Sequence, residues 1–544
     1  MIRAAAVLAT AVSASVPAAP AARATSLPAT SLPAASAPAT AAASGVASPA
    51  GPVWWGCGDG LECAKLSVPV DWARPRGPRT EIDLARMPAR DPRGSLGPMV
   101  VSTGAESTIQ GVRARPDAVS ELARWFDVVF VESRGIGDRG SAATVRCSVP
   151  QPDPRRLQLT PGAAAWRAYA RDNAAYDRSC RIAAGPAYAG LTSWQVAHDL
   201  DAVRAALGQP RLRYFGNAYG AVYGQAYLEL FPRRVERMYL EGVPDHGQPS
   251  VGRRLIAHAR AAERQLAAFR DWCAGRMGCP LGGDDAVEVL DGLLERAPLP
   301  TGPGRAVDAG RPSAGSGRVL DAGQPTADPG RAVDAREIVV AVLAGLVPQR
   351  WPELGRALSA AEAGDASALA AMAAPGQPVA PAMVTRSLHC HDFMPAVPGY
   401  RRFLAMESRL RAIAPRVGWL TGRYEVGRCL GIAGRPSRPP SVTGGDSVTG
   451  GESAARVGAR KPPSVLVGIG RLDIDSPASG AARAAGRIPG AAVLRHGDGH
   501  GAYLLQGAAK LRAACLRTRV HDFLVNGTPP RARTRCPGEL TAVR

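Results

Sequence analysis

The sequence predicts an α/β fold in which helices flank a mostly parallel β-sheet. Three observations lead to this prediction: short apolar runs recur along the chain, several are continuous rather than alternating, and helical patterns separate the later ones. Continuous apolar runs are typical of parallel strands buried on both faces, and strands that alternate with helices form wound sheets. With 544 residues the chain can bury a large core, and more than one structural unit is expected.

Eight apolar or aromatic runs are predicted as strands. In chain order they cover residues 64–70, 81–85, 99–102, 128–132, 212–215, 237–240, 464–468 and 492–494. A helix is predicted over residues 194–207, because apolar side chains recur there at helical spacing and Gly208 ends the pattern. Residues 247–433 have helical segments, such as 255–272 and 337–346, but little strand signal. We therefore expect a helical cap inserted into the sheet.

Tracts of biased composition divide the chain. A charged start, a short apolar stretch and the small-x-small site Ala22-Arg23-Ala24 predict an export signal over residues 1–24. Three tracts cannot bury a core, and we predict a disordered linker, a disordered loop within the cap and a second linker at 25–52, 298–335 and 434–464. The core of the fold is then expected from residues 53–246 and 465–544.

The formal net charge of +20 raises the question of nucleic-acid binding. Arginine supplies most of the positive charge, because lysine occurs only at Lys65, Lys461 and Lys510. The arginines are scattered without an aromatic platform among them, so a solvated basic surface is predicted and no nucleic-acid groove. No segment after the signal approaches the roughly 18 apolar residues of a membrane helix. We expect a secreted or cell-envelope protein without a membrane span, whose oligomeric state the sequence leaves open.

Ten cysteines follow the predicted signal, and an even number is typical of an exported protein with disulfides. Spacing alone leaves the connectivity open, but the simplest pairing joins sequence neighbours: Cys57 with Cys63, Cys147 with Cys180, Cys273 with Cys279, Cys390 with Cys429, and Cys515 with Cys536. The cluster His389-Cys390-His391-Asp392 has metal-ligand residue types. We interpret it as a strand, whose successive side chains point to opposite faces, so no metal or cofactor is predicted.

One pentapeptide has the frame G-x-S-x-G of a nucleophile elbow, with alanine in place of serine: Gly216-Asn217-Ala218-Tyr219-Gly220. An elbow is a sharp strand-to-helix turn, and it needs glycines on both sides of a side chain that is pushed out over the sheet. The flanks agree with this, because residues 212–215 are strand-like and residues 221–231 have helical composition before Pro232.

Further landmarks make the chain similar to a known family. In order they are Glu62-Cys63-Ala64, Val68-Pro69-Val70-Asp71, Ser133-Arg134-Gly135-Ile136-Gly137, Asp199-Leu200-Asp201, the elbow, Phe231-Pro232-Arg233-Arg234-Val235, Leu240-Glu241-Gly242-Val243, Asp473-Ile474-Asp475-Ser476-Pro477, Gly499-His500-Gly501, and Cys515 with Cys536. Over roughly residues 54–536 the chain resembles the exported tripeptidyl aminopeptidase-like (TAP-like) branch of the α/β-hydrolases. The resemblance implies the α/β-hydrolase fold.

It also implies a serine hydrolase whose triad follows the order nucleophile, aspartate, histidine. Ala218 then occupies the nucleophile position, and Asp473 would orient His500, the general acid and base. Asp475 competes with Asp473 for the carboxylate role, and Asp473 is favoured because it aligns with the family position. The backbone N–H of Tyr219 would supply half of an oxyanion hole.

The chain departs from the family pattern at several other positions. The oxyanion loop, residues 102–108, retains one glycine and includes Glu106, whose charge would oppose a developing oxyanion. Glu132 and Glu241 stand where the family has aspartates.

These departures predict a catalytically impaired hydrolase. Alanine cannot be activated by a base, and loss of the serine lowers turnover by about 10⁶ in a serine protease. We predict a protein that binds peptides or small amides or esters without cutting them. The alternatives are an active aminopeptidase or esterase that uses Ser107, Ser133 or a water activated by His500, and a structural spacer without a ligand.

Overall fold

The computed structural model describes most of the chain after residue 50. The described residues are 51–104, 107–138, 140–275, 278–302, 331–392, 396–434, 463–511 and 513–542, and they belong to one unit, Ala50–Arg544. The predicted export signal, nearly all of the first linker, most of the loop at 298–335 and of the linker at 434–464, and Glu106 lie outside them. The division into core and cap therefore stays a prediction.

Within the described residues, fourteen strands are present: β1 Trp55–Gly56, β2 Glu62–Pro69, β3 Arg79–Met87, β4 Pro98–Ser102, β5 Asp127–Val131, β6 Arg146–Cys147, β7 Leu212–Asn217, β8 Val235–Glu241, β9 Leu299–Pro300, β10 Ala332–Val333, β11 Ala382–Met383, β12 Ser464–Gly470, β13 Ala492–His496 and β14 Arg535–Cys536. Ten of them form one sheet in the order β1-β2-β3-β5-β4-β7-β8-β12-β13-β14. The first three pairings are antiparallel and the others are parallel. Each of the eight predicted runs overlaps a strand of this sheet.

Sixteen α-helices lie in the described part of the chain: α1 Thr108–Ala114, α2 Arg155–Leu159, α3 Ala163–Ala184, α4 Ser193–Ala206, α5 Tyr219–Leu230, α6 Val251–Ala274, α7 Ala286–Arg296, α8 Ala335–Gly345, α9 Trp351–Glu362, α10 Ser367–Ala373, α11 Thr385–Asp392, α12 Tyr400–Ile413, α13 Thr421–Cys429, α14 Ala478–Gly486, α15 Ala502–Ala508 and α16 Cys515–Asn526. None of these described helices combines the length and the apolar character that a bilayer crossing requires.

The sheet is buried on both faces. Val100 and Val129 pack with α4 and α5 on one face, while their neighbours Val101 and Phe130 pack with α1 and α16 on the other. Because successive strand residues point to opposite faces, burial on both faces requires consecutive apolar residues. This confirms the predicted fold class and explains its continuous apolar runs.

The chain between β8 and β12 contributes mainly helices, α6 to α13. Many of their apolar side chains form a separate cluster that includes Phe269, Trp351 and Phe403. One interpretation of this region was wrong: the cluster at residues 389–392 belongs to helix α11 rather than to a strand. Its cysteine is bonded to Cys429 in the last helix of this segment.

All ten cysteines form disulfides, and each is paired with its sequence neighbour. The pairs are Cys57–Cys63, Cys147–Cys180, Cys273–Cys279, Cys390–Cys429 and Cys515–Cys536. The simplest of the pairings that the sequence left open is therefore the one that the structure has.

A buried ion pair joins two of the sequence landmarks that lie far apart along the chain. The Arg134 guanidinium donates from Nε and Nη2 to the two carboxylate oxygens of Asp199, at 2.8 and 2.5 Å. Arg134 also donates to the Val70 carbonyl, and Trp72 donates to Asp199. The pair thus connects the loop after β5, the end of β2 and helix α4.

Asp199→Ala is expected to lower the free energy of unfolding by about 3–5 kcal/mol, because it leaves a buried guanidinium without its counter-ion. Denaturant unfolding followed by circular dichroism measures this. The matched control is Asp172→Ala, which breaks the exposed pair with Arg156 and is expected to cost no more than about 1 kcal/mol. Similar losses for the two variants would contradict a structural role for the buried pair.

Candidate active site

Ala218 lies at the apex of a sharp turn between β7 and α5. Its φ and ψ are 51° and −117°, a conformation that non-glycine residues rarely adopt. The turn needs both of its glycines, because a Cβ at Gly216 would lie 2.6 Å from the Gly220 carbonyl oxygen and a Cβ at Gly220 would lie 1.9 Å from that of Ser102. The local sequence therefore forms a strand–turn–helix with a methyl group at its apex.

Asp473 and His500 meet in the loops that follow β12 and β13. The Nδ1 atom of His500 lies 3.0 Å from Oδ2 of Asp473. The other Asp473 oxygen accepts the backbone N–H of Ser476 at 2.7 Å, which orients a carboxylate that is only 2% exposed. Asp475 is exposed, and it is Asp473 that accepts the hydrogen bond from the imidazole.

The charge of His500 is set by its acidic neighbours. Burial lowers the pKa of this imidazole, but the Asp473 carboxylate outweighs burial, and with Asp475 and Glu241 it raises the pKa to about 10. The ring is therefore protonated at neutral pH, and only a small neutral fraction is available as a base.

His500 lies against the same strand end as the apex residue. The backbone N–H of Ala218 donates to the Glu241 carbonyl at 3.1 Å, and a Cβ at the next residue, Gly242, would lie 2.6 Å from Cε1 of His500. The Glu241 side chain is fully buried, where it accepts hydrogen bonds from Asn217, Tyr239 and the backbone of Tyr503. Burial raises the pKa of this carboxyl group.

Tyr219 follows the apex as the first residue of α5, so its N–H is one of those without an intrahelical acceptor. Its phenol donates to Asp392 at 2.7 Å, and its ring stacks on His389 with a centroid distance of 3.8 Å. The loop after β4 packs against this turn, because a Cβ at Gly104 would lie 2.2 Å from the Gly220 nitrogen.

The two serines considered as alternative nucleophiles have local partners. The Ser107 hydroxyl donates to Glu132 at 2.5 Å, and Glu132 also accepts the backbone N–H groups of Thr108 and Ile109. Burial raises the pKa of Glu132 to about 7. The Ser133 hydroxyl donates to Tyr223. Glu132 therefore caps helix α1, and neither serine hydroxyl is bonded to His500.

Sequence reasoning missed a cavity of about 110 Å³ beside the turn. Its wall includes Tyr219, His389 of α11, Arg254 of α6 and Arg428 of α13. Tyr219 comes from α5, and the other three side chains come from separate helices of the segment between β8 and β12. No local motif joins them, so the sequence contained no signal that could have found the cavity.

Within the part of the chain that the structure describes, Asp473, Asp475 and His500 form a group that could hold a metal ion. Each offers one ligand atom, and these atoms lie within 4.8 Å of one another. A metal ion would have to displace the proton that the raised pKa keeps on the imidazole.

The sheet order, the strand–turn–helix at Ala218 and the Asp–His pair beyond the later strands define the class: the protein has the α/β-hydrolase fold. Residues 445–536 match the family described as TAP-like protein. This match and the relatives below support a TAP-like, peptidase-like α/β-hydrolase.

Two curated relatives and one solved structure illustrate the similarity. Serine protease Hip1 of Mycobacterium tuberculosis H37Rv is 27% identical over 506 residues, which cover 88% of this chain and 87% of that protein. Tripeptidyl aminopeptidase of Streptomyces coelicolor is 27% identical over 270 residues, or 46% and 49% of the two chains. The structure of an epoxide hydrolase from an endophytic Streptomyces has a TM-score of 0.32 at 16% identity, and covers 88% of this chain and 99% of that one.

Proposed function

We propose that this protein is an exported TAP-like α/β-hydrolase that binds peptides or small amides or esters and has lost acyl-enzyme catalysis. The observation that carries the proposal is Ala218 at the apex of the turn, where the family fold presents a serine. A methyl group cannot attack a carbonyl carbon, and no base can activate it.

The Asp–His pair and the cavity beside the turn support a binding role. Asp473 and His500 stay hydrogen-bonded next to the apex, and the cavity beside Tyr219 opens a place for a ligand between the turn and the helices of the insertion. In this proposal Ala218 marks the lost nucleophile position, and the Tyr219 N–H stays available to a ligand carbonyl. The five disulfides support export.

The purified wild-type protein is expected to remain unlabelled by a fluorophosphonate probe, because the probe needs a nucleophilic hydroxyl. Mass spectrometry after incubation measures the labelling. An active serine hydrolase treated in parallel shows that the probe works. Labelling of the wild-type protein that disappears in His500→Ala would reveal a live nucleophile and overturn the proposal.

A further inference from the structure

We propose that the cavity beside Tyr219 binds the carboxylate of a short peptide, with Arg428 and His389 as its recognition residues. This inference rests on the proposed binding function and assigns a charge and a size to the ligand. It is carried by two polar groups in the cavity wall that have no hydrogen-bond partner among the described residues.

Arg428 is the first of these groups. Among the described residues its side chain makes no hydrogen bond, and Glu425, at 3.9 Å, supplies the only carboxylate within 4.0 Å. Burial lowers the pKa of Arg428, but the carboxylate of Glu425, with that of Asp475, outweighs burial and raises the pKa, so the guanidinium remains charged. A guanidinium has five N–H donors in a planar fork that matches a carboxylate. The side chain lines the cavity and is 39% exposed, so a ligand can reach it.

His389 is the second group. It is 7% exposed, and its Nε2 atom has no hydrogen-bond partner in the described part of the chain. Burial holds the pKa of this ring well below its usual range, so the imidazole is neutral. A neutral ring can carry its proton on Nε2 and donate it. Stacking on Tyr219 holds the ring in the cavity wall.

The carboxylates of the wall are offset by neighbouring cations. Asp245 accepts hydrogen bonds from both Arg483 and Arg487. Asp475 lies beside protonated His500. Glu425 remains, opposite Arg428 and a second cation, Arg254, which also lines the cavity. The two guanidinium groups therefore outnumber the remaining carboxylate, and an anionic ligand is favoured.

The size of the cavity limits the ligand. A volume of about 110 Å³ corresponds to roughly three or four water molecules in the liquid. This is enough for a carboxylate and a small side chain, and the rest of a peptide would lie outside the cavity. An alanine-terminated dipeptide has both the negative charge and the small size that the cavity favours.

The test compares N-acetyl-alanyl-alanine with its C-terminal amide by calorimetry on the wild-type protein. We expect the acid to bind about 10- to 100-fold more tightly than the amide, because it adds charge-assisted hydrogen bonds. This comparison needs no variant. Equal affinities would overturn the carboxylate site while leaving the proposed binding function intact, and binding of neither compound would count against both proposals. Acetate that binds as tightly as the dipeptide would assign the site to small free acids and overturn the peptide part.

Variants locate the site. Arg428→Gln is expected to weaken binding of the acid about 10- to 100-fold. His389→Phe, which keeps an aromatic ring, is expected to weaken it roughly 3- to 10-fold. The affinity for the amide should change little in either variant. The matched control is Arg401→Gln on the exposed surface of α12, which should bind like the wild type. Unchanged acid binding in a folded Arg428→Gln protein would overturn the assignment.

Discussion

Ala218→Ser is expected to turn the protein into a hydrolase whose rate rises with pH. The variant restores a hydroxyl at the apex of the turn, and serine accepts the same positive φ at the cost that alanine already bears. Loss of a nucleophilic serine lowers turnover by about 10⁶, so a gain of several orders of magnitude is available. Hydrolysis of a p-nitrophenyl ester or an aminoacyl p-nitroanilide measures it.

The pH dependence follows from His500, whose pKa is raised to about 10. Only the neutral imidazole can accept the serine proton, so the rate should increase about tenfold for each pH unit between pH 7 and 9. The wild-type protein at each pH corrects for spontaneous hydrolysis. The double variant Ala218→Ser, His500→Ala should lose the gain.

Two outcomes would contradict this account. A folded Ala218→Ser protein without activity at any pH would show that Asp473 and His500 are not arranged for catalysis. A wild-type protein that already turns over these substrates at the rate of the variant would show that a nucleophile exists elsewhere.

Asp473→Asn is expected to lower the pKa of His500 by about one to three units, the effect of removing an adjacent opposite charge. The histidine Cε1–H signals, assigned with His500→Gln and followed by NMR between pH 5 and 11, measure the change. Asp475→Asn is the matched control, because Asp475 is exposed and the imidazole donates its hydrogen bond to Asp473. A larger shift in the control would assign the partner role to Asp475.

The same variant should change stability in a pH-dependent way. Because the folded pKa of His500 lies above its unfolded value of about 6.5, the ion pair stabilises the wild type fully below about pH 6.5. That contribution is lost as the pH rises toward 10. At pH 6 we expect a deficit of about 1.4–4 kcal/mol for Asp473→Asn, shrinking toward pH 10. Denaturant unfolding at pH 6, 8 and 10 measures it, and a constant deficit would exclude the ion pair as its cause.

Much of the fold could be predicted because the sheet is buried on both faces. Continuous apolar runs, such as those within 99–102 and 128–132, are what strands buried on both faces require. The two-residue strands β1 and β14 escaped prediction, since so short a segment has no periodicity. Residues 389–392 were misjudged for a related reason: four polar and sulfur-bearing residues carry no apolar pattern, and packing and the bond to Cys429 hold them in a helix.

The sequence by itself determined the turn at Ala218, because two glycines around a central residue after a strand are a local requirement of that geometry. Only the tertiary structure decided what surrounds it. The hydrogen bond from His500 to Asp473, the protonated state of that imidazole and the positions of Arg428 and His389 depend on groups brought together from distant segments. Distance and burial set electrostatic energies, and neither is encoded in any short stretch of the chain.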